Sequence, residues 1–358
     1  MQLPLVSVVI PTRNRGPELQ KTLAALKAQT YSSLEVMVID DASDEDLESL
    51  IRSAWPGAIS WRKAVNVGQC SCRNEAFQRA RGKYLLSLDD DANFTDPEDL
   101  RKAVEMMEND PTLGVLTFFT CHGPEMPATI SLLDRTLKYT HTFLGAAALL
   151  RGTTIEQIGG FCEFFASEGE EEELSVRVLN AGFAILFCPS ILVHHRVSPL
   201  SRNNARTWER GLRNKLWLIA MHMPLRRIPV EAGWKVGGAL WDAVRLGRLR
   251  RFIHGLWNCV AGLPQALHRR RPISDLALRR YDSIRFRGMC TAEEYVKPTP
   301  CGVADLGKWL RSSWWNRRRL RSVWDNRNGG VGQDSRGAFL ATDVPDAPAV
   351  SSTRERVS

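Results

Sequence analysis

The first 200 residues alternate between short apolar runs and amphipathic stretches. Residues 5–10 (LVSVVI), 34–39 (LEVMVI), 59–64, 84–88 (YLLSL) and 114–119 read as strands. Residues 16–29 place Leu19, Leu23 and Leu26 at helical spacing, and 44–53, 70–81 and 97–109 read as further helices. Asp96 is placed to cap the last of these, with Pro97 at its first position. An apolar element with small residues follows at 143–151, an acidic helix starts near Glu168, and 184–187 and 191–193 read as strands. This alternation predicts an α/β fold, a mostly parallel sheet flanked by helices. Beyond residue 200 the pattern turns helical, basic and Trp-rich. From about Asn326 it loses periodicity, which predicts a disordered tail. Three parts are therefore expected: 1–200, a helical basic extension over 201–325, and a tail over 326–358.

The predicted strands end in polar residues: Thr12-Arg13-Asn14, Asp40-Asp41, Asn66 and Asp89-Asp90-Asp91. Such groups converge on the sheet edge where open α/β folds bind ligands. Three adjacent carboxylates repel one another, and a divalent cation is the usual remedy. Aspartate oxygens suit Mg²⁺ or Mn²⁺, and Mg²⁺ typically arrives with substrate phosphates. The plainer alternative is a solvated acidic turn for the triplet. For Asp40-Asp41 it is a turn and cap, with Ser43 and Asp44 opening a helix.

Composition narrows the picture. No run of about 18 apolar residues is present, so no spanning helix is expected. Met1-Gln2-Leu3-Pro4 leads directly into a strand pattern, so no signal peptide is expected. The eight cysteines form no CxxC pair, which favours reduced thiols and a cytoplasmic setting. The net charge of +8 hides an asymmetry. Residues 201–330 carry 27 Lys and Arg against 9 Asp and Glu, while residues 1–200 carry 18 against 27. Basic surfaces of that kind attract phosphates, nucleic acid or anionic lipid.

Several ordered pieces carry a family likeness. They are Ser7–Asn14 (SVVIPTRN), Val38–Ser43 (VIDDAS), Asn66-Val67-Gly68 followed by Cys72-Arg73-Asn74, Leu88-Asp89-Asp90-Asp91, and Gly159-Gly160-Phe161 followed by 169–177 (GEEEELSVR). This set over residues 5–198 resembles the inverting family 2 glycosyltransferases, which have the GT-A fold. The resemblance implies a nucleotide-diphospho-sugar donor and a glycan or lipid-linked acceptor. It implies a metal held by Asp89 and Asp91, with Asp91 the more direct ligand and Asp89 and Asp90 handling the ribose and the metal's waters. Pro11, Thr12 and Arg13 would line the base pocket, Asp40 or Asp41 would hydrogen-bond the base, and Asn66 and Gly68 would border the nucleotide, a plain strand-to-helix turn being the alternative for that pair. Arg73 would pair with Asp40, Asp41 or a phosphate, a structural ion pair being the alternative. Cys72 departs from the alanine usual in the family.

Inverting transfer needs a base for the acceptor hydroxyl's proton. The family's base, an aspartate, falls on Glu171, with Glu170 before it. Crowding of Glu170 to Glu173 raises at least one of their pKa values, which suits a base. Glu172 or Glu173 reads as part of a solvated first turn favoured by the helix dipole. His194-His195 stands where the family often has a histidine that completes the metal site; a backbone-bonded histidine is the alternative. Trp208, Arg213 and Asn214 are candidates for the acceptor side. In the basic half, residues 246–260 read as a two-faced helix. Leu246, Leu249, Phe252, Ile253, Leu256, Trp257 and Val260 fall on one side, and Arg248, Arg250, Arg251 and His254 on the other. That pattern fits an anionic membrane surface or a packing helix. No nucleic-acid-binding signature is present, so no specific nucleic acid is expected. The reading is a metal-dependent glycosyltransferase of cell-surface polysaccharide or glycolipid assembly, peripheral on the cytoplasmic face of the membrane. The rivals are a nucleotidyltransferase, which would show a Gly-rich loop better than Arg13–Gly16, and a non-catalytic nucleotide-sugar or nucleic-acid binder.

Overall fold

A computed structural model describes residues 3–126, 135–198 and 204–298. The expected tail at 326–358 lies outside the described residues. Elements follow in the order β1 (Val6–Thr12), α1 (Gly16–Lys27), β2 (Leu34–Asp40), α2 (Glu48–Ala54), β3 (Ile59–Arg62), α3 (Gln69–Arg79), β4 (Tyr84–Leu88), β5 (Ala92–Phe94) and α4 (Asp99–Asn109). Then come β6 (Leu113–His122), β7 (Lys138–Tyr139), β8 (Ala147–Arg151), α5 (Gly152–Ile158), α6 (Glu170–Asn180) and β9 (Ala184–His195). Five helices follow among the described residues: α7 (Asn204–His222), α8 (Ile228–Arg245), α9 (Leu249–His268), α10 (Asp275–Arg287) and α11 (Ala292–Val296).

The strands form one sheet in the order β3-β2-β1-β4-β8-β6-β9-β5, with β7 also on β9. It is mixed. β1, β2, β3 and β4 run parallel, as do β6 and β9, but β8 enters antiparallel between β4 and β6. The predicted strands 184–187 and 191–193 are one strand, β9, whose register against β6 shifts between Phe118 and Phe119. Strand periodicity divides the core. Val6, Val8 and Ile10 join α1's Leu19 and Leu23 on one face, while Val9, Met37 and Ile39 meet α3's Cys72 and Ala76 on the other.

Two helix starts differ from expectation. The segment after β2 stays a loop until Glu48, because Asp44 is tied across to Asn14 rather than capping a helix. Asp96 does not cap α4: its carboxylate accepts from the Glu98 N–H, and the helix begins at Asp99. The C-terminal helices pack into the same core as the sheet, through Leu212, Leu216, Trp217, Met221 and Tyr281. Among the described residues no helix is long and apolar enough to cross a membrane.

Candidate active site

β4 ends at Leu88, so Asp89, Asp90 and Asp91 fall at the strand's C-terminal edge. The turn then reverses into β5, which pairs with the end of β9 and sets Ala92 opposite His195. That pairing brings His195 onto the aspartates. Its Nε2 lies 3.1 Å from Asp91 Oδ1 and 3.9 Å from Asp89 Oδ2. Ligand atoms of Asp89, Asp91 and His195 all lie within 4.8 Å of one another, and Asp91 is fully buried. Two carboxylates and one imidazole form a donor set that fits a hard or borderline divalent cation. Neighbouring strand residues face opposite ways, and His194 accordingly turns away, its Nε2 2.9 Å from the carbonyl of Gly123. Burial would raise the Asp91 carboxyl, but the hydrogen bond and charge of His195, with Arg15 and the Ser198 N–H, hold it well below the usual range. The Ser198 amide donates to Asp91 Oδ2 at 2.8 Å.

Asp90 has a different fate. It accepts from Thr12 Oγ1 at 2.8 Å and from Arg15 Nη1 at 3.0 Å. Arg15 also lies 3.6 Å from Asp91. Burial pushes the Asp90 carboxyl up to about 6 in spite of Arg15. Part of the positive charge the triplet needs is thus supplied by the chain itself. Arg15 was not among the residues singled out from the sequence, because a lone arginine after a strand carries no motif. Pro11 is buried at the end of β1, and Arg13 is exposed on the following loop.

The second strand's acids serve their own loop. Asp41 accepts from Asn66 Nδ2 at 2.5 Å, from the Val67 amide at 2.7 Å and from the Gly68 amide at 2.9 Å. Asp40 accepts from the Ser43 amide at 2.8 Å. These contacts match the turn of the plainer alternative but not its helix cap at Ser43 and Asp44, and they join Asn66 and Gly68 to Asp41. Gly68 has φ +90°, a conformation that favours glycine. Arg73 pairs with neither aspartate. The start of α3 carries its guanidinium, 2% exposed, to Asp89 Oδ1 at 2.5 Å, a structural ion pair in place of a bond to Asp40 or Asp41.

The four glutamates at the start of α6 resolve into four environments. Glu173 is 2% exposed and is bound by Arg177 Nη2 at 2.6 Å and His222 Nε2 at 2.9 Å. Burial would raise its carboxyl, but Arg177 and His222 pull it down to about 2. Glu172 pairs with Lys215 and accepts from the Tyr281 hydroxyl at 2.9 Å. Against burial, Lys215 holds it below the carboxylate range. Neither is the solvated turn the sequence suggested, because helices α7 and α10 cover that face. Glu170 is buried, accepts from the Gln69 amide, and is raised by burial. Glu171 is only partly buried, and burial together with the charge of Glu170 pushes its carboxyl well above the ordinary range.

One strand-end segment joins these acids to the aspartates. The Asp89 amide donates to the Ala146 carbonyl at 2.9 Å, and the neighbouring Gly145 lies against the Glu171 carboxylate, where a Cβ would collide. The loop before α6 is held from both sides. Asn74 brackets Phe161, donating to its carbonyl at 2.8 Å and accepting from its amide at 2.7 Å. Asn214, fully buried, places its amide within hydrogen-bond distance of the carbonyls of Phe165, Ser167 and Glu168. Ala166 and Glu168 in that loop hold positive φ, at 63° and 73°, and such strain persists only where the surroundings fix it. Asn214 thus braces the loop, and Arg213 joins it by donating to the Phe165 carbonyl at 3.2 Å. Trp208 packs half-buried against the core.

Residues 7–158 match the family model for glycosyl transferase family 2. An uncharacterized glycosyltransferase of Haemophilus influenzae is 31% identical over 31% of this chain and 37% of its own length. A putative colanic acid biosynthesis glycosyl transferase of Escherichia coli, WcaA, is 32% identical over 26% of this chain and 34% of its own. The chain therefore spans little more than a third of the first curated relatives it matches. Glycosyltransferase AglE of Haloferax volcanii is 24% identical over 66% of this chain and 82% of its own. Among solved structures, a mannosyltransferase from Pyrobaculum calidifontis in complex with GDP-Man and Mn²⁺ superposes with a TM-score of 0.50. It is 19% identical and covers 75% of this chain and 84% of its own. S. aureus TarS residues 1–349 superposes with a TM-score of 0.54 at 15% identity, covering 88% and 91%. The fold is the GT-A fold.

Proposed function

We propose, from the likeness to family 2 glycosyltransferases, that this chain is a metal-dependent inverting glycosyltransferase. It would move a sugar from a nucleoside diphosphate to an acceptor hydroxyl. The observation that carries the proposal is that one segment holds both the backbone of Asp89 and the carboxylate of Glu171: the Asp89 amide bonds the Ala146 carbonyl, and Glu171 is seated against Gly145. The colanic acid relative supports a role in polysaccharide or glycolipid assembly. The neighbour bound to GDP-Man and Mn²⁺ supports a sugar-nucleotide donor and a divalent cation, Mn²⁺ or Mg²⁺.

Asp89, Asp91 and His195 would hold the cation, which when bound offsets the negative charge of a departing diphosphate. Asp90 positions Arg15 against Asp91 and leaves the direct contacts to its neighbours. Thr12, Pro11 and Arg13 border the nucleotide side at the end of β1, with Asp40 and the Asp41-braced loop at Asn66 and Gly68 beside them. Glu171 takes the acceptor proton, its raised pKa matching a base that must hold a proton once it has taken one. Arg73, between Asp89 and the glutamates, feels the charge of Asp89, Glu170 and Glu171 and keeps these acids together.

A thermal-shift screen with UDP-, GDP- and dTDP-sugars, with and without Mn²⁺, tests the site. A ligand that binds the native state raises its stability by mass action. One donor class is expected to stabilise the wild type in the presence of Mn²⁺. The effect is expected to vanish in Asp91→Ala and His195→Ala and to survive in His194→Ala. No shift with any donor, in a folded protein, would rule the reading out.

A further inference from the structure

The predicted amphipathic stretch at 246–260 divides into two surfaces that the sequence pattern merged. Leu246 sits in the turn after α8, and α9 begins at Leu249. Phe252, Gly255, Cys259 and Ala266 face inward and are buried, with Leu256 packed beside them. The indole N–H of Trp217 donates to the Cys259 carbonyl at 2.9 Å, fixing this face on α7. Packing therefore accounts for one part of the apolar stripe and leaves the other outside. Ile253 is 60% exposed, Trp257 70% and Val260 63%, and Leu249 and Leu267 are about half exposed. At roughly 100° per residue these five positions fall in one arc of about 80°, adjoining the buried sector. The preceding α8, packed on both α7 and α9, adds exposed Val230 and Val244.

The charge around this surface is one-sided. Residues 228–271 carry eight Lys and Arg against two Asp and Glu. The cations cluster at the helix ends: Arg245, Arg248, Arg250 and Arg251 at the α8–α9 turn, and Arg269 to Arg271 after α9. An exposed apolar arc with a central Trp, flanked by Arg at both ends, matches a helix lying in a bilayer interface. Cations at such a rim are attracted to an anionic headgroup layer, although Arg251 also lies 3.3 Å from Glu209 and Arg270 donates to the Ala220 and Met223 carbonyls. A second copy of this chain would bring the same basic rim against itself. We infer that the outer face of α9 docks on an anionic lipid bilayer, with Leu249, Ile253, Trp257 and Val260 entering the interface.

The test is sedimentation of the full chain with vesicles of phosphatidylcholine alone or mixed with phosphatidylglycerol. Donor-induced stabilisation and circular dichroism serve as checks on the fold, so a failure here is separable from a failure of the transferase reading. The wild type is expected to sediment with the anionic vesicles and to be released by high salt. The double variant Ile253→Glu, Trp257→Glu is expected to bind about tenfold less; should it misfold, Trp257→Ala with Val260→Ser replaces it. Absence of wild-type binding would overturn the inference. So would equal binding by the folded variant, which would place the contact elsewhere in the basic half. A wild-type dimer that the variant converts to monomer, with vesicle binding unchanged, would give the face to a second copy instead.

Discussion

At the scale of single residues, the four glutamates show how neighbours decide chemistry. Glu172 and Glu173 are held ionised by Lys215, Arg177 and His222, while Glu170 is raised by burial and the charge of Asp89, and Glu171 by burial and the charge of Glu170. Only Glu171 combines a raised pKa with partial access to solvent. Glu171→Gln is expected to lower kcat by about 10²- to 10⁴-fold, the usual worth of a general base. Its raised folded pKa means that its ionisation at neutral pH costs stability. That variant is therefore expected to melt higher than wild type at pH 7, in a thermal scan, while losing activity. In Glu170→Gln the like charge that lifts Glu171 is gone. The acid limb of the pH–rate profile is then expected to move to lower pH, and an unmoved limb would point to another base.

Between elements, the decisive contact is that of the segment before β8 with the first turn of α6. Gly145 leaves room for a glutamate that reaches one methylene further than an aspartate. Gly145→Ala is expected to displace Glu171, reducing kcat more than donor affinity, as steady-state kinetics and the donor-induced thermal shift together will read. This contact was not legible in the sequence, because Gly145 belongs to an apolar stretch with no chemical signature and lies 26 residues from its partner. The strand-end acids were legible, since short apolar runs ending in Asp are local patterns. Which histidine faces the acids was not: it depends on the antiparallel pairing of β5 with β9, a long-range register. Arg73 was found by motif, but that its ion pair is with Asp89 rather than Asp40 or Asp41 was not legible, for the same reason.

Across the whole molecule, α6 is the seam between the sheet and the C-terminal helices. The Glu173 carboxyl, lowered from 4.5 to about 2, contributes stability that is fully present above pH 4.5. That contribution is lost as the pH falls toward 2, because a depressed folded pKa favours folding only while the unfolded chain is also ionised. Denaturant unfolding at pH 7 and pH 3 is expected to show Glu173→Gln less stable than wild type at pH 7, by a few kcal/mol, since it leaves Arg177 and His222 without their anion. The gap is expected to narrow at pH 3. Asn214 of α7 belongs to the same seam, since it holds the strained loop from which Glu171 emerges. For anyone building hybrids, this relocates the cut. A chimera that joins the sheet of one parent at residue 200 to helices from another would carry a foreign brace under its own Glu171. Crossover points that keep residues 165–222 from a single parent would preserve the geometry.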